Sequence, residues 1–289
     1  MARYLDPKND VVFKKIFGQN PHLLISFLNS QLTFEDDSVI ESLEYLPSEL
    51  IPETPAKKRT IVDVRCKDNR GRQFIVEMQM EWVTAFFERM LYNTAGLYSR
   101  QLELGDDYIL LQPVYGLAIL NKNFDKETDE YYHKFEMLNP KNPDEKISGI
   151  TIVAVELKKL VPKTSEEKKL AVLWLRFLKE TNESVREISP ELQENPIIKE
   201  AVKLCEAAAY TDVERAEYDK CKDEILRENM LIEGKFAEGI EKGIEKGKAE
   251  RNIEIALNML RDSVPFEIIS KFTGLSISEI QNLKFDLKI

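Results

Sequence analysis

The stretch TIVDVRCKDNRGRQFIVEMQM, residues 60 to 80, limits what this chain can fold into more than any other segment. Two runs rich in strand formers flank the turn cluster Asp68-Asn69-Arg70-Gly71, which is the sequence signal of a β-hairpin with a short loop. A loop of Asn69, Arg70 and Gly71, with the glycine left-handed, sets Val62 against Met78, Val64 against Val76 and Cys66 against Phe74. A two-residue loop would slip the pairing by one and put apolar residues against polar ones, so burial selects the first register. The opposite face then carries Asp63 across from Glu77, with Gln79 beside it. Like charges facing each other in a sheet repel. Two carboxylates in a partly desolvated place share a proton or hold a cation.

Charge and composition narrow the functions open to such a hairpin. The formal net charge of -10 has the wrong sign for a protein that coats nucleic acid without specificity. Locally, Lys57, Lys58, Arg59, Arg65, Lys67, Arg70 and Arg72 lie on or next to the hairpin, so positive charge is expected around the acidic pair. A phosphate-bearing ligand would account for that mixture, and a solvated hairpin of mixed charge is the alternative. Hydrophobic residues at 43% and charged residues at 32% fit a soluble globular protein with a helix-rich, charged portion. No apolar run reaches bilayer-spanning length and MARYLDPKND holds no apolar signal core, so a cytoplasmic location is expected. Cys66, Cys205 and Cys221 form no Cys-x-x-Cys pair. With only His22 and His133, the chain excludes His-rich metal sites and argues against a Ser-His or Cys-His relay.

Around the hairpin, periodicity predicts a helix over DVVFKKIFG, residues 10 to 18, and a second helix opened by Asn20-Pro21 with Leu24, Phe27, Leu28 and Leu32 as its buried stripe. Asp10, at the start of the first helix, is either an N-cap or dipole partner or a site acid. Residues 39 to 46 suggest a strand. A long buried helix is expected from Trp82 to Glu103, with Arg89, Tyr92 and Arg100 as its polar groups and Arg89 placed to reach a phosphate from the first turns. The apolar run from Tyr108 to Asn121 reads as a strand buried on both faces. After a polar, Pro-containing stretch, residues 150 to 157 read as another strand. The order implies a mixed sheet flanked by helices.

From Thr164 onward the chain turns helical: TSEEKKLAVLWLRFLKE opens with a capping signature, and helices follow over 196 to 209 and 211 to 230. Gly234, Gly239, Gly243 and Gly247 then punctuate EGKFAEGIEKGIEKGKAE. Their spacing suits close helix pairing, while the loss of about 1 kcal/mol of helix stability per glycine suits a flexible linker. An amphipathic helix resumes at Ile253. The sequence then runs PFEIISKF, TGLS and ISEIQNLK, which read as a helix, a tight turn and a helix with a Ser276 to Glu279 capping box. This end resembles a helix-turn-helix. Its second helix offers Glu279, Gln281, Asn282 and Lys284, little basic charge for phosphate contacts, so DNA reading stands against oligomerisation or packing.

Asp63 with Glu77-Met78-Gln79 is the constellation that carries chemistry. Oxygen ligands without His or Cys select a hard divalent cation such as Mg²⁺, which suits phosphodiester hydrolysis.

The motifs DPKNDVVFKKIFG, IVDV before the turn, IVEMQ after it, ERMLYNTAGLYSRQL and the glycine-punctuated tail ending in TGLS-x-x-EI resemble the Rpn family of recombination-promoting nucleases. These are transposase-like members of the PD-(D/E)XK nuclease superfamily. The resemblance implies an α/β restriction-endonuclease-like mixed sheet flanked by helices, followed by a helical C-terminal region. It also implies Mg²⁺-dependent DNA endonuclease activity that promotes recombination. Asp63 and Glu77 take the places of the metal-binding acids, Asp10 that of the extra acid on the first helix, and Gln79 that of the superfamily lysine. Glutamine lacks the lysine charge, but its amide can orient the attacking water. On this reading residues 1–162 form the nuclease-like core and 163–230 a helical region packing on it. Residues 231–289 form the tail, through which copies of the chain can oligomerise. The alternative is a non-catalytic DNA-binding or assembly protein that keeps the nuclease fold.

Overall fold

A computed structural model of the chain describes residues 3–34, 38–47, 49–50, 60–61, 63–79, 85–162 and 169–286. Its first helix, α1 (Asp10–Phe13), continues into a π-helical turn, Lys14–Gly18, and is followed by α2 (Pro21–Gln31). The N-cap is Asn9, whose side chain accepts the Val11 N–H at 3.0 Å, so Asp10 is not the cap. Asp10 is an acid in the first turn, where it favours the helix dipole.

Strand β1 (Leu43–Leu46) is shorter than the run over 39 to 46, and the two-residue strands β2 (Glu49–Leu50) and β3 (Thr60–Ile61) pair with each other. The hairpin consists of β4 (Val64–Asp68) and β5 (Gln73–Gln79), with Val64 opposite Val76 and Cys66 opposite Phe74, in the register that burial selects. Gly71 takes the left-handed conformation that closes the loop, with φ of 83°. Val62 lies outside the described residues.

Helix α3 (Phe86–Ser99) is narrower than the span expected from Trp82 to Glu103, and Trp82 to Thr84 lie outside the described residues. The strand expected from Tyr108 begins later, as β6 (Val114–Leu120). Tyr108–Leu110 instead form an exposed 3-10 turn capped by Asp107, and Pro113, which has no N–H for a ladder, directly precedes the strand. The polar stretch before residue 150 is irregular only as far as Tyr131. It forms β7 (Tyr132–Asn139) and the first part of β8 (Asn142–Glu156), an antiparallel hairpin with an exposed tip. Ladder bonds hold that tip without a buried face, so it carries no apolar alternation.

The six-stranded sheet has the order β1-β4-β5-β6-β8-β7, parallel across β5, β6 and β8 and antiparallel on both sides. Side chains alternate between two apolar layers, as the pleat requires. Val64, Cys66, Phe74 and Val76 join Phe13, Phe17, Phe27 and Trp174 on one face, while Ile75 and Ala118 join Phe86, Met90 and Leu97 of α3 on the other. The expected α/β sheet flanked by helices is the observed fold. Helix α3 sits close over Gly116, where an added Cβ would meet Met90 Sδ at 2.9 Å and Thr94 Cγ2 at 3.1 Å. Gly116→Ala is accordingly expected to destabilise the protein by about 1–3 kcal/mol in urea unfolding.

The helical part holds α4 (Leu170–Glu180), α5 (Pro190–Glu194), α6 (Pro196–Leu204), α7 (Asp212–Arg261), α8 (Phe266–Thr273) and α9 (Ile277–Asp286). The helix expected over 196 to 209 ends at Leu204, and Ala207–Ala209 form a 3-10 turn. Thr211 and Glu214 form the capping box that opens α7. The helix runs unbroken through Gly234, Gly239, Gly243 and Gly247, so this segment is not a flexible linker. The chain divides into two compact units, Met1–Asp223 and Glu224–Ile289. In the second, Ala256, Leu260, Ile269 and Ile280 make a small core, Gly274 ends α8 in the left-handed conformation, and the Ser276 to Glu279 capping box opens α9. Among the described residues no helix is long and apolar enough to cross a membrane.

Candidate active site

Glu77 lies near the carboxyl end of β5, on the sheet face that α3 covers, because it shares the parity of Ile75. That end of a parallel strand is where open α/β sheets bind ligands. Glu77 is buried, and α3 supplies its partners: Arg89 Nη2 donates to Oε2 at 3.1 Å and Asn93 Nδ2 lies 3.4 Å from Oε1. Burial nevertheless outweighs Arg89 and Asn93 and raises the Glu77 pKa above the ordinary carboxylate range. Asn93 is itself buried, and its Oδ1 has no hydrogen-bond partner among the described residues.

Asp63 sits at a bend just before β4, one residue beyond the ladder, and its Oδ2 accepts the Met78 N–H at 2.5 Å. The residue is partly buried with its carboxyl turned onto β5. Burial, then the charges of Glu77 and Asp10, push its pKa up to about 7 against the Met78 hydrogen bond and the charge of Lys14. Asp10, Asp63, Glu77 and Lys14 thus share one electrostatic neighbourhood. Lys14 Nζ donates to Asp10 Oδ2 at 2.8 Å. Burial works against the Lys14 charge, but the hydrogen bond and charge of Asp10, with the charge of Asp63, raise its pKa.

The linkage has a measurable sign. The native carboxyl of Asp63 holds its proton up to pH of about 7, whereas the ordinary value is 3.8, so between these values the folded state binds more protons than the unfolded. Ionising Asp63 therefore removes stability as pH rises through that window, in the absence of a bound cation. Asp63→Asn, which keeps an acceptor for Met78, is expected to raise the melting temperature at pH 8 by several degrees and to leave it nearly unchanged at pH 4. The scale is about 2–4 °C per kcal/mol for a body of this size.

One expectation about neighbours needs correction. Among the described basic residues of the hairpin, Arg65, Lys67 and Arg72 are drawn to partners other than Asp63 and Glu77. Arg72 Nε pairs with Asp68 Oδ2 at 2.7 Å, Lys67 with Glu44 at 2.9 Å, and Arg65 meets Gln73 at 3.2 Å. Lys67 and Arg72 lie toward the turn, away from Asp63 at the opposite end of a strand that advances about 3.3 Å per residue, and Arg65, two residues from Asp63, turns its guanidinium to Gln73. Lys57, Lys58, Arg59 and the Gln79 side chain lie outside the described residues.

Among the described residues, the trio of His, Cys, Asp or Glu whose ligand atoms fall within 4.8 Å of one another is Asp125, His133 and Glu156, which the scattered sequence positions gave no means of grouping. An internal cation already serves it. Lys159 Nζ is 2.6 Å from Glu156 Oε2 and 3.4 Å from Asp125 Oδ2, and the Phe124 and Asp125 N–H groups donate to Glu156 Oε1. We read this cluster as a structural ion network. Asn93 and Lys14 were also missed from sequence. The only local signals are their four-residue spacings from Arg89 and Asp10 on one helix face.

No curated protein and no solved structure matches the chain significantly. The family model described as PD-(D/E)XK nuclease family transposase matches residues 7–235, which take in both helices of the site, the hairpin and the central sheet. The chain belongs to this family of PD-(D/E)XK nuclease transposases.

Proposed function

We propose that this protein is a Mg²⁺-dependent DNA endonuclease acting in the cytoplasm and promoting DNA recombination. The observation that carries the reading is the partly buried Asp63 carboxyl, which is held on the N–H of Met78, the residue after Glu77, and lies in the fields of Glu77 and Asp10 with its negative charge under-compensated by the protein's own cations. An oxygen-only donor set of this kind fits a hard divalent cation, and the orphaned Oδ1 of Asn93 leaves an acceptor for its hydration shell. Asp63 and Glu77 would hold the ion. When bound, it supplies Lewis-acid polarisation of the phosphodiester and activation of the attacking water.

The chain's own groups do the rest. Asp10 adds negative field at the cation, and Gln79 keeps the water-orienting role that the resemblance gives it. Arg89, about 40% exposed, exchanges its contact with Glu77 for the phosphate. The water oxygen bonds to phosphorus as the bond to one ester oxygen breaks, and a proton passes to the leaving oxygen. One strand end then carries a phosphate and the other a hydroxyl.

A second reading, a non-catalytic DNA-binding or assembly protein, draws support from the Arg89 ion pair, which already gives Glu77 a counter-charge. Nicking of supercoiled plasmid in Mg²⁺, stopped by a chelator, is expected of the enzyme. A plasmid left intact while the protein still shifts DNA in a gel would favour the second reading. In either case the exposed Phe236, Ile240 and Ile244, along one stripe of α7 with Gly239, Gly243 and Gly247, are assigned to pairing with another copy of the chain.

A further inference from the structure

We propose, on the nuclease reading above, that Lys14 is a second cationic group, beside Arg89, that this site presents to the scissile phosphodiester. Asp10, Asp63, Glu77 and a phosphodiester bring together more negative charge than one divalent cation and Arg89 cancel together. Phosphoryl transfer depends on electrostatic stabilisation more than on covalent chemistry, so another positive group is required near the reacting phosphorus. Gln79 does not supply it.

Geometry singles out Lys14. It opens the π-helical turn directly after α1, a local widening of the kind found often at functional sites. Its Nζ is held 2.8 Å from Asp10 and lies in the field of Asp63. The neighbouring Lys15 is drawn elsewhere: its Nζ bonds the Ala209 carbonyl and Glu214, each at 3.0 Å, and sits over the Tyr210 ring. Lys15 ties the first helices to the start of α7, and Lys14 does no comparable structural work. Its contact with Asp10 is a half-exposed i,i+4 pair, a class that contributes little to stability. An accessible ammonium on the half-exposed Asp10 and in the field of Asp63 can leave Asp10 for a phosphate oxygen as DNA arrives.

The test uses the full chain and three variants, Lys14→Met, Lys14→Arg and Lys14→Met combined with Gln79→Lys. Plasmid nicking at saturating Mg²⁺ is measured alongside Mg²⁺ binding by calorimetry without DNA. Lys14→Met is expected to nick about 10²-fold more slowly, the scale of losing one preorganised stabilising group. It should bind Mg²⁺ at least as tightly as the wild type, since a like charge has left the neighbourhood. Lys14→Arg should stay within about tenfold of wild type, and Gln79→Lys should restore at least part of the rate lost with Lys14→Met. Three results would overturn the proposal while leaving the nuclease reading standing. They are an undiminished rate in Lys14→Met, a loss of Mg²⁺ affinity that parallels its loss of rate, and an arginine variant as slow as the methionine one. A wild-type protein that nicks nothing overturns the nuclease reading and this proposal with it.

Discussion

Asp63→Asn is expected to lower Mg²⁺-dependent nicking by about 10³-fold or more while leaving the folded protein at least as stable as the wild type. The two halves of that expectation come from the same geometry. A carboxyl raised to about 7 by burial and by the charges of Glu77 and Asp10 burdens the metal-free fold, so removing it relieves the fold. The same under-compensated charge is what a divalent cation would neutralise, and a lost ligand removes both the ion and the electrostatic stabilisation that depends on it. Glu77→Gln should be comparably inactive but should not be stabilised to the same degree, because Arg89 loses its charged partner. Calorimetry and thermal denaturation on the two variants, read beside the nicking assay, separate these effects. Activity that persists in both would remove Asp63 and Glu77 from the reaction. Inactive variants that still bind Mg²⁺ as the wild type does would move the ion elsewhere.

The hairpin was legible in the sequence because two independent constraints agree on it. Gly71 in the left-handed conformation fixes the loop, and the apolar pairs Val64 with Val76 and Cys66 with Phe74 fix the register. What the strand pattern could not supply was the direction of ion pairing. Lys67 and Arg72 are near Asp63 in sequence, yet the extended hairpin carries them away from it to Glu44 and Asp68, and Arg65, two residues from Asp63, turns to Gln73. Contacts across long sequence separations were equally hidden. Asn93 reaches Glu77 from a different element, and Lys14 comes into the field of Asp63 only because the first helix packs against the same sheet. The β7 and β8 hairpin escaped for the opposite reason, since its tip is exposed and its residues carry no burial pattern to read. The continuous α7 likewise overrides the glycine propensity that made a linker plausible.

Phe17→Ala is expected to destabilise the protein by about 3–5 kcal/mol and, under conditions where the variant is still folded, to slow nicking as well. Phe17 is fully buried, with ring centroids 4.9 Å from Phe13, 4.8 Å from Phe27 and 5.5 Å from Trp174, so truncation leaves a cavity that the three surrounding helices cannot close together. Its carbonyl also accepts the Tyr45 hydroxyl at 2.7 Å, which ties the π-helical turn to β1 at the sheet edge. Lys14 stands in that same turn and Asp10 one turn before it. The aromatic cluster is therefore what sets the position of the first helix against the sheet. Urea unfolding gives the stability loss directly. Nicking measured well below the melting temperature then tests the link to the site, because a catalytic group displaced by an ångström loses far more rate than the residual stability would indicate. A variant destabilised as expected but nicking at the wild-type rate would show that the position of α1 is not coupled to the chemistry. In that event Asp10 and Lys14 would be bystanders to a site made by Asp63 and Glu77 alone.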